Sequence, residues 1–133
     1  MTRRNTPSRW ILVVTDDRGT RESTRRILTE VGYRLETSRT CANALRRTRR
    51  RRPAAILVDL MATSEECSAF VAACRQECGS ASPPILVMAA TPRAALGAIQ
   101  AGAQGYVKTP PERGTMVPML SQVRLRSVDT DPI

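Results

Sequence analysis

Asp59 has the clearest chemical potential in this sequence of 133 residues. It closes the apolar run Ala54-Ala55-Ile56-Leu57-Val58, which Pro53 opens. Five apolar residues in a row read as a strand buried on both faces. Burying an isolated carboxylate is costly, so an acid ending such a strand is expected at its mouth. In open parallel α/β sheets the mouth at the carboxyl ends of the strands is where ligands bind. The competing role for Asp59 is a plain cap on the following loop.

Two more acids repeat this arrangement. Asp16 and Asp17 follow Thr15 at the end of Trp10-Ile11-Leu12-Val13-Val14, another continuous apolar run. They form a second acidic strand mouth, or else they cap the next helix, which acids do well. The sole lysine, Lys108, ends the short apolar stretch Tyr106-Val107. Its competing role is a solvated strand end.

Thiols and guanidinium groups supply the remaining chemistry. Cys41, Cys67, Cys74 and Cys78 include no CxxC pair and the chain has no histidine, so no zinc site is expected. Half-buried or buried thiols in a reducing cytoplasm are the expected state. The formal net charge is +9, and nearly all the cations are arginine. The densest run is Arg46-Arg47-Thr48-Arg49-Arg50-Arg51-Arg52. Such a run can meet nucleic acid or an acidic partner. With no aromatics interleaved to stack on bases, the run by itself favours a solvated helix end over nucleic acid.

These residues need a frame. A chain of this length suits one domain with one core. Aromatics are 3% of it, so the core is expected to be aliphatic. No apolar run approaches the roughly 20 residues of a membrane span, and the basic start, Met1-Thr2-Arg3-Arg4-Asn5, leads into no signal peptide. The expected setting is cytoplasmic, without membrane contact. Residues 1–9 are expected to be loose, 10–126 to form the domain and 127–133 to be a tail. Strands are predicted over 10–14, 33–37, 54–59, 85–89 and 106–108. Helices are predicted over 20–31, 40–50, 65–78, 92–101 and 115–126, the last with Val117, Leu120 and Val123 inward and Pro118 in its first turn. Five strands alternating with five helices imply a doubly wound, five-stranded parallel sheet of flavodoxin-like type.

In their order and spacing, several segments resemble the response-regulator receiver domain. They are Val13-Val14-Thr15-Asp16-Asp17 with Arg21 four residues on, Gly32-Tyr33, Val58-Asp59-Leu60-Met61, and Gly102-Ala103-Gln104-Gly105-Tyr106-Val107. The resemblance implies that Asp59 is the phosphoacceptor, becoming an acyl phosphate. It implies that Asp16 and Asp17 hold Mg2+, that a hydroxyl and a lysine contact the phosphoryl oxygens, and that an aromatic follows the hydroxyl inward. This chain departs from the pattern. Thr15 takes the first acidic place, Ala89 stands where the hydroxyl belongs, and Thr63 replaces a proline. Lys108 is one residue early, which turns a strand side chain to the opposite face unless a local bulge brings it back, and Thr109 fills the lysine's place before Pro110. The switch position is therefore Ala89 with Tyr106, and the phosphoryl-contact candidates are Lys108 and Thr109.

The expectation is an atypical two-component receiver and not an enzyme, with a weakened Mg2+ site and slow or absent phosphorylation at Asp59. It would act through protein contacts, with a sensor histidine kinase or another signalling protein as partner and a homodimer left open. By resemblance, the fourth and fifth helices and the last strand form the contact face. Nucleic acid is not favoured as a partner. The alternative is a phosphorylation-independent binder of nucleic acid or an acidic partner through the arginine-rich surface. A small-molecule-binding flavodoxin-like domain ranks last, since no glycine-rich phosphate loop is present.

Overall fold

The computed structural model describes residues 10–63 and 66–123. The expected loose start and the tail from 127 lie outside these residues, as do positions 124–126 of the last predicted helix.

Five strands build one sheet: β1 Trp10–Val14, β2 Arg34–Ser38, β3 Ala55–Asp59, β4 Ile85–Ala89 and β5 Gly105–Lys108. Their spatial order is β2-β1-β3-β4-β5, and every neighbouring pair is parallel. Five helices connect and follow them: α1 Arg18–Glu30, α2 Cys41–Arg50, α3 Cys67–Cys78, α4 Pro92–Gln100 and α5 Arg113–Gln122. A single helical turn, Leu60–Thr63, follows β3 directly.

All residues of β1, β3 and β4 are buried, as their continuous apolar runs require of strands covered on both faces. Alternation then splits the core in two. Leu12, Val14, Ile56, Val58 and Val87 pack with Cys41 and Ala44 of α2, Phe70 and Val71 of α3 and Ala95 of α4. Ile11, Val13, Leu57, Leu86 and Met88 face the other way, onto Ile27 and Leu28 of α1 and Met116 and Leu120 of α5. Each fully buried Leu, Ile or Val contributes about 1.5–3 kcal/mol relative to exposure. Strand β2 lies at the edge and is only half-buried along most of its length.

The helix starts follow capping chemistry. Asp17, Thr40 and Thr91 each accept a hydrogen bond from the backbone N–H three residues on, at Thr20, Asn43 and Ala94. Gly32, at φ +96°, ends the α1 connection in a conformation that L side chains rarely adopt.

The last helix differs from the expectation. It starts at Arg113, so Pro118 is its sixth residue and lies inside the helix, not in the first turn. Met116 and Leu120 are its buried residues, while Val117 and Val123 are half-buried. Pro118 is exposed, and it has no N–H to donate to the Gly114 carbonyl one turn back. The strand predicted over 33–37 starts and ends one residue later, since Tyr33 donates its N–H to the Leu28 carbonyl at the end of α1.

Candidate functional site

The carboxyl ends of β1 and β3 lie side by side, because Val14 is in register with Val58. The next residue of each strand therefore brings Thr15 to Asp59. The Thr15 hydroxyl donates to Asp59 Oδ2 at 2.7 Å, and the Met61 N–H donates to Asp59 Oδ1 at 3.1 Å. Thr15 Oγ1 in turn accepts from the Asp17 N–H at 3.0 Å. Asp59 is 2% exposed. It stands at the strand mouth and lines the cleft there, yet is nearly closed off from solvent, with donors on both carboxyl oxygens.

Asp16, Asp17, Thr20, Asp59, Met61 and Thr109 line a single cleft at these strand ends. Burial raises the Asp59 pKa, and the negative charges of Asp17 and Asp16 push the same way. The Thr15 hydroxyl and the Met61 N–H pull it back. Asp17 is fully exposed, and hydrogen bonds from Thr20 hold its carboxyl below the usual range.

The other sequence candidates sort by strand parity. Ala89 is buried in the α2–α3–α4 core, and Tyr106, half-buried, packs against the same core. Lys108 is in register with Ala89 and is two residues from Tyr106, so its side chain leaves on that face. It is exposed and is not among the residues lining the cleft. Val107 faces the α1–α5 core with Met88, the register partner of Asp59. Thr109 continues that parity and reaches the cleft, its N–H donating to the Ala89 carbonyl at 3.0 Å. The structure thus gathers Asp16, Asp17, Asp59 and Thr109, and leaves Lys108, Ala89 and Tyr106 out of the cleft.

The donor set does not fit a ready-made Mg2+ cage. Among the described residues no group of three or more His, Cys, Asp or Glu side chains could hold a metal ion. Asp17 Oδ2 is engaged at 2.8 Å with the Thr20 N–H, and Thr15 presents a hydroxyl where a carboxylate would add charge.

By resemblance Thr15 only displaces an acid. Its hydroxyl proves to be the group that links the two strand ends. A hydroxyl directly after a buried strand was the available signal.

A family model described as the response regulator receiver domain matches residues 11–121. The chain belongs to this family. Among solved structures, a protein described as a response regulator from Chloroflexus aurantiacus is similar to this chain with a TM-score of 0.77 and 22% identity, covering 85% of this chain and 94% of that one. The chemotaxis response regulator CheY4 of Vibrio cholerae gives 0.75 and 25%, covering 86% and 97%. A receiver domain from Bermanella marisrubri gives 0.75 and 24%, covering 86% and 96%. No curated protein matches. Receiver domains are in general signalling modules of two-component systems, and they typically take Mg2+ at the phosphorylation site. Among the described residues no helix is long and apolar enough to cross a membrane.

Proposed function

We propose that this receiver signals through contacts with a sensor histidine kinase or another protein while phosphoryl transfer to Asp59 is slow or absent. The 2.7 Å hydrogen bond from Thr15 to Asp59 supports this reading most directly. Transfer would require a carboxylate oxygen of Asp59 to attack phosphorus as the donor's oxygen leaves with the bonding electron pair. That attack develops negative charge on the equatorial oxygens, and fixed positive charge is what lowers its barrier. Thr109 brings a neutral hydroxyl to the cleft in the place of a lysine, and Thr15 removes one carboxylate from the metal's surroundings. A weakened Mg2+ site and a slower reaction follow from both. Asp59 as phosphoacceptor, Asp16 and Asp17 as the remaining metal-facing acids and Thr109 as the phosphoryl contact are the roles assigned, with Ala89 and Tyr106 as a switch pair that lacks its hydroxyl.

The test is incubation of the full chain with Mg2+ and a small acyl-phosphate donor, followed by intact mass. Little or no increment of one phosphoryl group is expected over a time in which an unaltered receiver domain is fully converted. Prompt stoichiometric phosphorylation refutes the reading.

A further inference from the structure

Between residues 10 and 123, the net positive charge is confined to the first part of the chain. Residues 10–53 hold twelve arginines against five acids, a balance of +7. Residues 54–123 hold four cations against five acids, a balance of −1. The first half comprises β1, α1, β2 and α2, and β2 is the edge strand of the sheet. Helix α1 covers one face beside that edge, packing with Leu35, and α2 covers the other. Folding thus collects arginines that are scattered in sequence around one end of the sheet.

Part of this charge is spent internally. Arg47 and Arg51 meet Glu36 at 3.0 and 3.7 Å, and Arg49 holds Glu77 through two hydrogen bonds. Others make no ion pair among the described residues and are exposed. These are Arg18, Arg25 and Arg26 on α1, then Arg34 on β2 and Arg39 just after it, and Arg46 and Arg50 on α2. The run at 46–52, taken by itself, suits a solvated helix end. Unpaired arginines presented by two helices and the strand between them do not.

The chemistry of the surroundings narrows the partner. The exposed large apolar side chains among the described residues are Met61, Leu96 and Ile99, none of them in this half. A protein interface draws most of its energy from buried aromatic, apolar and arginine anchors, and of these the edge exposes only arginine. Insertion into a lipid surface needs the apolar and aromatic kind. Trp10 is buried and Tyr33 half-buried, so no aromatic platform is available for unpaired bases. What is left is guanidinium, whose planar fork matches phosphate. Arg18 and Arg25 stand two turns apart on a helix of 13 residues, about 20 Å long, which spans roughly six base pairs of a duplex.

We propose that the β2 edge, with α1 and α2 over its two faces, binds the phosphate backbone of duplex DNA without sequence preference. This binding is independent of whether Asp59 is phosphorylated.

The experiment is fluorescence anisotropy of a labelled duplex of arbitrary sequence, titrated with the full chain at several salt concentrations. With four phosphates contacted, affinity falls about 100-fold between 50 and 200 mM salt. The double variants Arg25→Glu with Arg26→Glu, and Arg46→Glu with Arg50→Glu, are each expected to bind about 10-fold more weakly and with a salt slope shallower by about two. The corresponding Gln pairs, made in case a charge reversal unfolds a helix, move the same way by less. Arg93→Glu, exposed on α4, leaves binding unchanged. Absence of binding at 50 mM salt overturns the proposal. So does an equal loss in Arg93→Glu. Displacement of the duplex by poly-glutamate at equal charge also overturns it, and points to an acidic polypeptide as the partner.

Discussion

The Thr15 hydroxyl donates to Asp59 Oδ2 across the β1–β3 boundary, joining residues 44 apart in sequence. The contact is buried, and Thr15 Oγ1 itself accepts from the Asp17 N–H. One hydroxyl therefore organises both the acidic loop and the carboxyl beneath it. Thr15→Val removes donor and acceptor together while keeping the shape. Leaving both partners unsatisfied is expected to cost about 1–3 kcal/mol, read as a lower urea midpoint at unchanged slope. Thr15→Asp acts differently. It adds a carboxylate beside Asp59, destabilising the free protein by like-charge repulsion. Mg2+ is then expected to raise the melting temperature of this variant more than that of the parent.

Burial of Asp59 also has a pH signature. Its pKa is raised in the folded state, so between the unfolded value of about 3.9 and the folded value the native chain binds more protons than the unfolded one. Stability from this residue therefore rises as pH falls through the folded pKa. At pH 7.5 the buried charge is a net cost. Asp59→Asn removes that charge, keeps an oxygen for the Met61 N–H and turns its amide N–H toward the Thr15 oxygen, which can accept. A melting temperature higher by about 3 °C is expected at pH 7.5, with the difference from the parent shrinking toward pH 4. A difference that grows on acidification would contradict this sign.

Thr109 lies in the cleft where Lys108 does not. Thr109→Lys places a cation on the parity shared with Asp59 and is expected to speed phosphorylation from a small donor by about 100-fold, the scale of one oxyanion contact. Lys108→Ala is expected to leave the rate unchanged. The two rates, followed by intact mass, separate the positions.

Arg75 donates from Nε and from one terminal nitrogen to the Gly102 carbonyl at 3.0 and 2.6 Å, tying the end of α3 to the turn before β5. Gly102 has φ +126°, and a Cβ there would lie 3.0 Å from Arg75 Cγ. Gly102→Ala meets both backbone strain and the arginine stem, and is expected to cost about 2–3 kcal/mol. In an Arg75→Ala background the steric share disappears and the backbone share stays. A double-mutant cycle on urea midpoints measures the difference.

The strands were legible wherever burial on both faces leaves a continuous apolar run. Those for β1 and β4 were placed without error, and the one for β3 within a residue. The parallel sheet followed from the alternation of strands and helices. Local rules failed at α5. Proline is usual in a first turn, so Pro118 drew the predicted start toward itself, whereas packing of Met116 and Leu120 on the sheet sets the helix from Arg113. The acids of the cleft were legible from strand ends, and the offset of Lys108 from counting. The bond from Thr15 to Asp59 was not, because it depends on the register between strands that are not adjacent in sequence. The arginines of α1 and β2 were likewise invisible as a group, since only the run at 46–52 is dense in sequence.

The single tryptophan starts β1 rather than ending it, and the Arg51 guanidinium stacks on its ring at 4.6 Å. Five residues of strand, about 16 Å, separate the indole from the acidic cleft. Its emission is thus a gauge for the wrong end of the sheet if metal or phosphate is the question. For a polyanion drawing Arg51 off the ring it is the right one, a label-free optical probe that the sequence already contains.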